Sequence, residues 1–390
     1  MYMAKSRALF FLIFLFFFNA NNFSFSRKNE LNKINYFFLN FDTTNDIIFN
    51  ELNENQLDFL TYASVHYNVK NESAANNESI NLKEETKKKY IPDSLFRFAN
   101  QSRFTITGEL PYVQSYPKLI NIAALTGIFT GIFYVQHLIQ QSDVWKETGP
   151  FHIQEDIQYA LWVDKLGHFY GGYATSYLFT EAFITSGFGW EISNVLGSLM
   201  GLGYMSYIEV LDGYSKGFGF SPTDYYFDIL GSGFFLAQYY FPILQNFNPK
   251  FMYVNPKWLG EKDRSPHESF IDNYSAQTFW MSVNIQNLFG GIVAKYIPEW
   301  LELSIGYAAY SLCYPPLGNC DNSLSEPVSN DAWGNRKIII SLDYNLVKLL
   351  PDGPPFWNWL KQSLKLFKLP APALEIGKAT KFYIIYPFRF

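Results

Sequence analysis

Trp162-Val163-Asp164-Lys165-Leu166-Gly167-His168-Phe169 opens an apolar stretch of helix length that carries an acid, a base and an imidazole. Asp164 and His168 are four apart, so they share one helix face. Two further segments follow the same design. One ends Tyr207-Ile208-Glu209-Val210-Leu211-Asp212-Gly213, with Glu209 and Asp212 three apart. The other opens Ser221-Pro222-Thr223-Asp224 and continues to Asp228, four residues beyond Asp224. Charge buried in an apolar bundle is costly unless it is paired or metal-bound. Trp162–Gly233 therefore predicts helices gathered around one polar centre.

The three apolar segments run over about Val163–Thr185, Ile192–Leu211 and Tyr225–Leu244, and each carries closely spaced glycines. Glycine costs roughly 1 kcal/mol against alanine inside a helix. Its repetition predicts backbones in close approach, as intramembrane bundles allow. Upstream, Leu119–Ile139 is 21 residues without Asp, Glu, Lys or Arg, long enough to cross a bilayer. Gly127 and Gly131 give it a small-residue face, and His137 near its end reads as a solvated or interfacial residue. The expectation is a membrane-associated four-helix bundle over residues 116–245.

Residues 1–26 have the layout of a signal peptide: Lys5 and Arg7, then an apolar run from Ala8 to Phe18, then small and polar residues. The alternative is an uncleaved anchor; on either reading the chain leaves the cytosol. No cysteine follows the run, so no lipid-attachment residue stands there. Residues 27–115 read as a flexible polar leader, rich in Asn, Lys and Glu. Residues 246–273 read as a proline-punctuated connector.

From residue 274 to 390 the period changes to two. Phe279–Ile285, Leu301–Tyr307, Ile338–Leu346 and Phe382–Phe390 each alternate apolar and other residues, predicting about four amphipathic antiparallel strands. Pro370-Ala371-Pro372 reads as the terminator of a short helix over Trp357–Phe367. The aromatic ending at Phe390 is like the last strand of an outer-membrane barrel, but four strands cannot close one. The apolar strand faces then either pack on the helices or meet a membrane. The fold class is α+β, a helical bundle followed by a small sheet.

Composition agrees with an envelope address. Charged residues are 17% of the chain, below the roughly 25% of soluble domains. The net charge of -5 argues against nucleic acid as a partner. Membrane lipids, a second copy or another envelope protein remain as partners. Cys313 and Cys320 flank Tyr-Pro-Pro-Leu-Gly-Asn and predict a local disulfide in an exported chain.

Three chemistries suit the ionisable set. The first is a divalent metal centre, with His168 and carboxylates drawn from Asp164, Glu209, Asp212, Asp224 and Asp228 as ligands. The second is acid/base hydrolysis by His168, Glu209 and Asp228, with Asp164 or Glu209 orienting the imidazole. The third is a polar lock in which Lys165 and His168 pair with Glu209 and Asp228. Ser221-Pro222-Thr223-Asp224 also reads simply as a helix start, with Ser at the N-cap.

The run Asp164-Lys165-Leu166-Gly167-His168-Phe169, with Glu209 to Gly213, Ser221 to Asp224, and Asp228, resembles an uncharacterised bacterial envelope family of predicted periplasmic lipoproteins of the YfiM type. The Asp-Lys-x-x-His start also resembles VanZ-like membrane proteins. The resemblance implies an exported envelope protein with these residues as its signature. It implies no reaction.

Overall fold

Long, nearly uncharged apolar runs build four long helices: α1 (Leu119–Asp143), α2 (Val163–Thr185), α3 (Trp190–Asp212) and α4 (Pro222–Tyr240). They belong to a computed structural model that describes residues 88–255, 258, 271, 273–313, 326–327, 333–377 and 380–388. The expected signal peptide and leader residues up to 87 lie outside this set.

α2, α3 and α4 pack through their glycines. A Cβ on Gly197 would lie 2.0 Å from Thr180 Oγ1, and one on Gly231 would lie 2.0 Å from the carbonyl oxygen of Phe169. α2 turns into α3 through Gly187 (φ +85), with Gly187 N–H bonded to Ile184 O and Phe188 N–H to Phe183 O. This double closure caps the last turn, and glycine takes the left-handed position at no steric cost.

The expected four-helix bundle needs correction. α1 touches the other helices through Phe129 and Phe133, which lie against Phe179 and Tyr204. His137 Nδ1 and Tyr207 OH stand 2.8 Å apart, so this imidazole is partnered rather than solvated. The rest of α1 faces outward: Ile128, Ile132 and Val135 are exposed, and Gly127 and Gly131 have nothing within 4 Å. Their small-residue face makes no contact among the described residues. Among the described helices α1 alone is long and apolar enough to cross a membrane. The close-packed unit is three helices with α1 on its rim.

The leader also ends earlier than expected. Within 88–115, Ile91 and Phe96 are buried against Ile184 and Trp190, and Arg103 pairs with Glu181 at 2.7 Å. Here a hairpin of β1 (Arg97–Phe98) and β2 (Gln101–Ser102) is part of the folded unit.

Among the described residues the sheet has seven strands rather than four. They are β3 (Phe247–Tyr253), β4 (Gln277–Val283), β5 (Leu301–Cys313), β6 (Glu326–Pro327), β7 (Trp333–Tyr344), β8 (Ala371–Ile376) and β9 (Lys381–Tyr386). Their order is β3-β4-β5-β7-β8-β9, with β6 paired to β7, and every pairing is antiparallel. The two longer strands missed by the alternation are β3, inside the expected connector, and β8, which begins in the expected terminator and runs beyond it. Pro249 is tolerated because β3 is an edge strand, and Pro372 sits at a register shift. Cys313 is disulfide-bonded; Cys320, the other half of the expected pair, lies outside the described residues.

The sheet encloses its charges. Lys250, Ser282, Glu302, Ser304, Asp343 and Glu375 point to the buried face. Lys250 Nζ lies 3.1 Å from Glu302 and 2.9 Å from Asp343, and Asp343 also accepts from Ser282 and Ser304. These residues share that face with an apolar cluster of Met252, Trp280, Tyr310, Ile339, Tyr383 and Tyr386, while Ile305, Ile338, Ile340, Leu342, Leu374 and Phe382 turn outward. Among the described residues one side of that outer face is covered: Phe251 and Phe279 pack on Tyr170 of α2, and Tyr307 lies against Leu161.

Candidate functional site

The site forms where the start of α2, the end of α3 and the start of α4 meet. Ala160, Leu161 and Trp162 precede α2 with φ of 47, 52 and 79. A left-handed turn costs roughly 1–2 kcal/mol per residue for side chains other than glycine. The sheet holds this one in place. Ala160 and Leu161 are buried with Phe279 and Leu312, and Tyr307 OH donates to Leu161 O at 2.6 Å. The turn delivers Asp164 and Lys165 into the interior. At the start of α4, Ser221 Oγ accepts from Asp224 N–H at 3.2 Å, the expected cap. Ser221 also donates, from Oγ to Asp156 at 2.6 Å and from its N–H to Glu209 Oε2 at 3.2 Å.

His168 divides the centre. On its Nε2 side lie Asp164 at 3.6 Å and Asp224 at 3.9 Å. Lys165 serves this side, 2.8 Å from Asp164 and 2.7 Å from Asp224, with Asp156 as its third partner. Tyr274 OH donates to Asp164 at 2.6 Å. On the Nδ1 side lie Asp228 Oδ1 at 3.0 Å and Glu209 Oε1 at 3.3 Å. Asp228 Oδ2 is buried without a hydrogen-bond partner. Two groups could hold a metal ion: Asp164, His168 and Asp224, or His168, Glu209 and Asp228.

Five of the six expected ligands therefore converge. Asp212 does not: it accepts from Trp145 Nε1 at 2.6 Å and joins neither group. Asp156 and Tyr274 were missed. Asp156 stands in a polar run before α2, and Tyr274 lies 110 residues from Asp164, so no spacing rule joins either to the motif.

Burial disfavours charge throughout the centre. It drives Glu209 up to about 9 against the pull of His168, with Asp224, Asp212 and Asp228 adding to the rise. It drives Asp224 up to about 8, helped by Asp164. Asp228 is also raised by burial, against His168. Asp164 goes the other way: Lys165 and His168 overcome its burial and hold it at about 2. Burial likewise opposes charge on His168, but Asp224, Asp228 and Asp164 outweigh it and keep the imidazole protonated well above 6.5.

Residues 152–240 match the family described as "Predicted periplasmic lipoprotein (DUF2279)". The match covers α2, α3 and α4 with the loops that carry Asp156 and Ser221, and it stops before the sheet. It supports an exported bacterial envelope protein of unknown activity. No curated protein and no solved structure matches the chain.

Proposed function

We propose that this protein is a membrane-associated component of the bacterial envelope whose helical unit closes around a divalent cation held by His168, Glu209 and Asp228. A charge imbalance carries the reading. Asp156, Asp164, Glu209, Asp224 and Asp228 face one ammonium and one imidazole. Lys165 answers the acids of the Nε2 side. Glu209 and Asp228 have only the imidazole, and Asp228 keeps an oxygen without a donor. An uncompensated buried carboxylate costs several kcal/mol. The centre therefore takes up protons or a cation.

One imidazole nitrogen and two carboxylates suit a first-row ion such as Zn2+ or Mn2+ better than Ca2+, which prefers an all-oxygen shell. His168 would bind through Nδ1, leaving Nε2 turned toward Asp164 and Asp224, the carboxylate backing that orients a ligating histidine. Such an ion would tie α2, α3 and α4 together. An anionic lipid headgroup would be repelled by this centre unless the cation were in place. Kinship with YfiM-type and VanZ-like proteins rests on the Asp164-to-His168 motif. Membrane association rests on α1, whose outward face is apolar.

A second reading is favoured by the 13% exposure of the His168 side chain. A cation beside it would keep one position open to water, the arrangement of a metal-assisted hydrolase acting on an envelope lipid or glycan. Glu209→Gln would then abolish hydrolysis of envelope extracts.

Metal analysis of protein purified without chelator tests the main reading. The expected result is close to one equivalent of a transition metal, lost in His168→Ala and Asp228→Asn. A protein that carries none, binds none on titration and keeps its melting temperature in chelator would overturn it.

A further inference from the structure

The uncovered part of the sheet's outer face is continuous and apolar. Strand register sets Met281, Ile305, Ile340, Leu374 and Phe382 in one row across β4, β5, β7, β8 and β9. Val283, Leu303 and Leu342 form the row on one side, and Ile338 and Ile376 the row on the other, which ends at Tyr307, itself covered by Leu161. Ile305 is 52% exposed and Phe382 71%. These three rows contain no charged residue, while the reverse face of the same strands buries Glu302, Asp343 and Glu375, with Lys250 of β3 beside them.

We propose that this face is immersed in the hydrocarbon of a lipid bilayer. The inference rests on the membrane-associated reading above and names the surface that would make the contact. Three observations select lipid over a protein partner. First, the outward rows are apolar and exposed while every charge of these strand centres is enclosed, Glu302, Asp343 and Glu375 sharing their face with Trp280, Tyr310 and Ile339. An uninterrupted apolar band on the outer face is the order of membrane strands, whereas a sheet in water turns polar residues outward. Second, charge and aromatics return where the rows end. Tyr344 pairs with Leu301 in register and stacks on Trp300, and just beyond them lies the exposed Lys348–Glu299 ion pair. At the opposite end Arg336 is exposed next to the Ile338 row. From Arg336 to Tyr344 the strand covers about 27 Å at about 3.4 Å per residue, the scale of the roughly 25 Å apolar band of membrane strands. Aromatic and cationic side chains mark membrane–water boundaries. Third, the sheet curls. Tyr386 of β9 bonds Tyr310 of β5 at 2.6 Å and stacks edge-on against Trp280 of β4, inside a cluster that reaches Met252 of β3. The apolar face is thus the outside of a curve. A rigid protein partner covers such a face poorly, whereas acyl chains conform to it.

Nitroxide accessibility in the full chain tests the proposal. A ketone-bearing amino acid at position 340, coupled to a nitroxide, leaves the disulfide untouched. The labelled protein is placed in phosphatidylethanolamine/phosphatidylglycerol vesicles. The expected result is high collision with oxygen and low collision with a water-soluble nickel chelate at 340, reversing toward 336. A label that meets nickel freely at 340, on protein that floats with the vesicles, overturns this inference alone. Low access to both reagents with spin–spin broadening assigns the face to a second copy and also overturns it. Protein that does not float removes the membrane reading as a whole. Ile305→Lys is the independent check: it is expected to free the chain into carbonate wash, and retention equal to the unaltered protein counts against the proposal.

Discussion

His168 Nδ1 and Asp228 Oδ1 stand 3.0 Å apart across the α2–α4 contact, while the other oxygen of Asp228 is buried with no donor. The pair is a finished hydrogen bond on one side and an open acceptor on the other. Asp228→Asn keeps the shape and removes the charge. We expect it to raise the denaturation midpoint in chelator, since a buried carboxylate is gone. It should also cancel the gain from Zn2+ or Mn2+, which for the unaltered protein is about 2.7 kcal/mol at a free metal concentration a hundredfold above Kd. Urea titrations with and without metal check both halves.

Proton linkage gives a second expectation, for metal-free protein. Glu209 at about 9 and Asp224 at about 8 bind more protons folded than unfolded. Their contribution is therefore full below the ordinary carboxyl range and is lost as pH rises through those values. His168, raised above 6.5, has the same sign. Asp164, lowered to about 2, is lost only in strong acid. Melting temperature in chelator should fall steadily from pH 5 to 9. Metal must displace the bound protons, so its affinity should rise over the same interval, with proton release visible in calorimetry in buffers of different ionisation heat.

Lys165 is buried among Asp156, Asp164 and Asp224 and is their ammonium partner. Lys165→Met keeps the aliphatic length but leaves three acids facing one another. Breaking a buried ion pair costs about 3–5 kcal/mol. We expect a loss of that size in urea denaturation, partly recovered at pH 5, where the acids take up protons.

The glycines divide into two sets that a substitution series separates. At Gly197 and Gly231 an added Cβ would meet α2 at 2.0 Å. Overpacking of this kind costs about 1–3 kcal/mol or more. At Gly203 nothing lies within 4 Å, so alanine there should stabilise the helix by up to about 1 kcal/mol. Thermal melts of the three alanine variants measure the contrast.

In the chain alone, the length of the apolar runs placed α1 to α4, alternation placed four of the seven described strands, and helical spacing within the runs brought together Asp164, His168, Glu209, Asp224 and Asp228. Helical and strand spacing are local properties, and a charge inside an apolar helix has few ways to be satisfied. The Ser221 cap was legible for the same reason. Tertiary structure decided the rest. Asp156 and Tyr274 reach the centre from a loop and from the start of β4, distances that no repeat records. Asp212 leaves it because Trp145 offers a donor elsewhere. Above all, alternation marks two faces of a strand without saying which is inside. The inward turn of Lys250, Glu302 and Asp343 follows from their pairing with one another, a relation among β3, β5 and β7 that exists only once the strands are laid side by side.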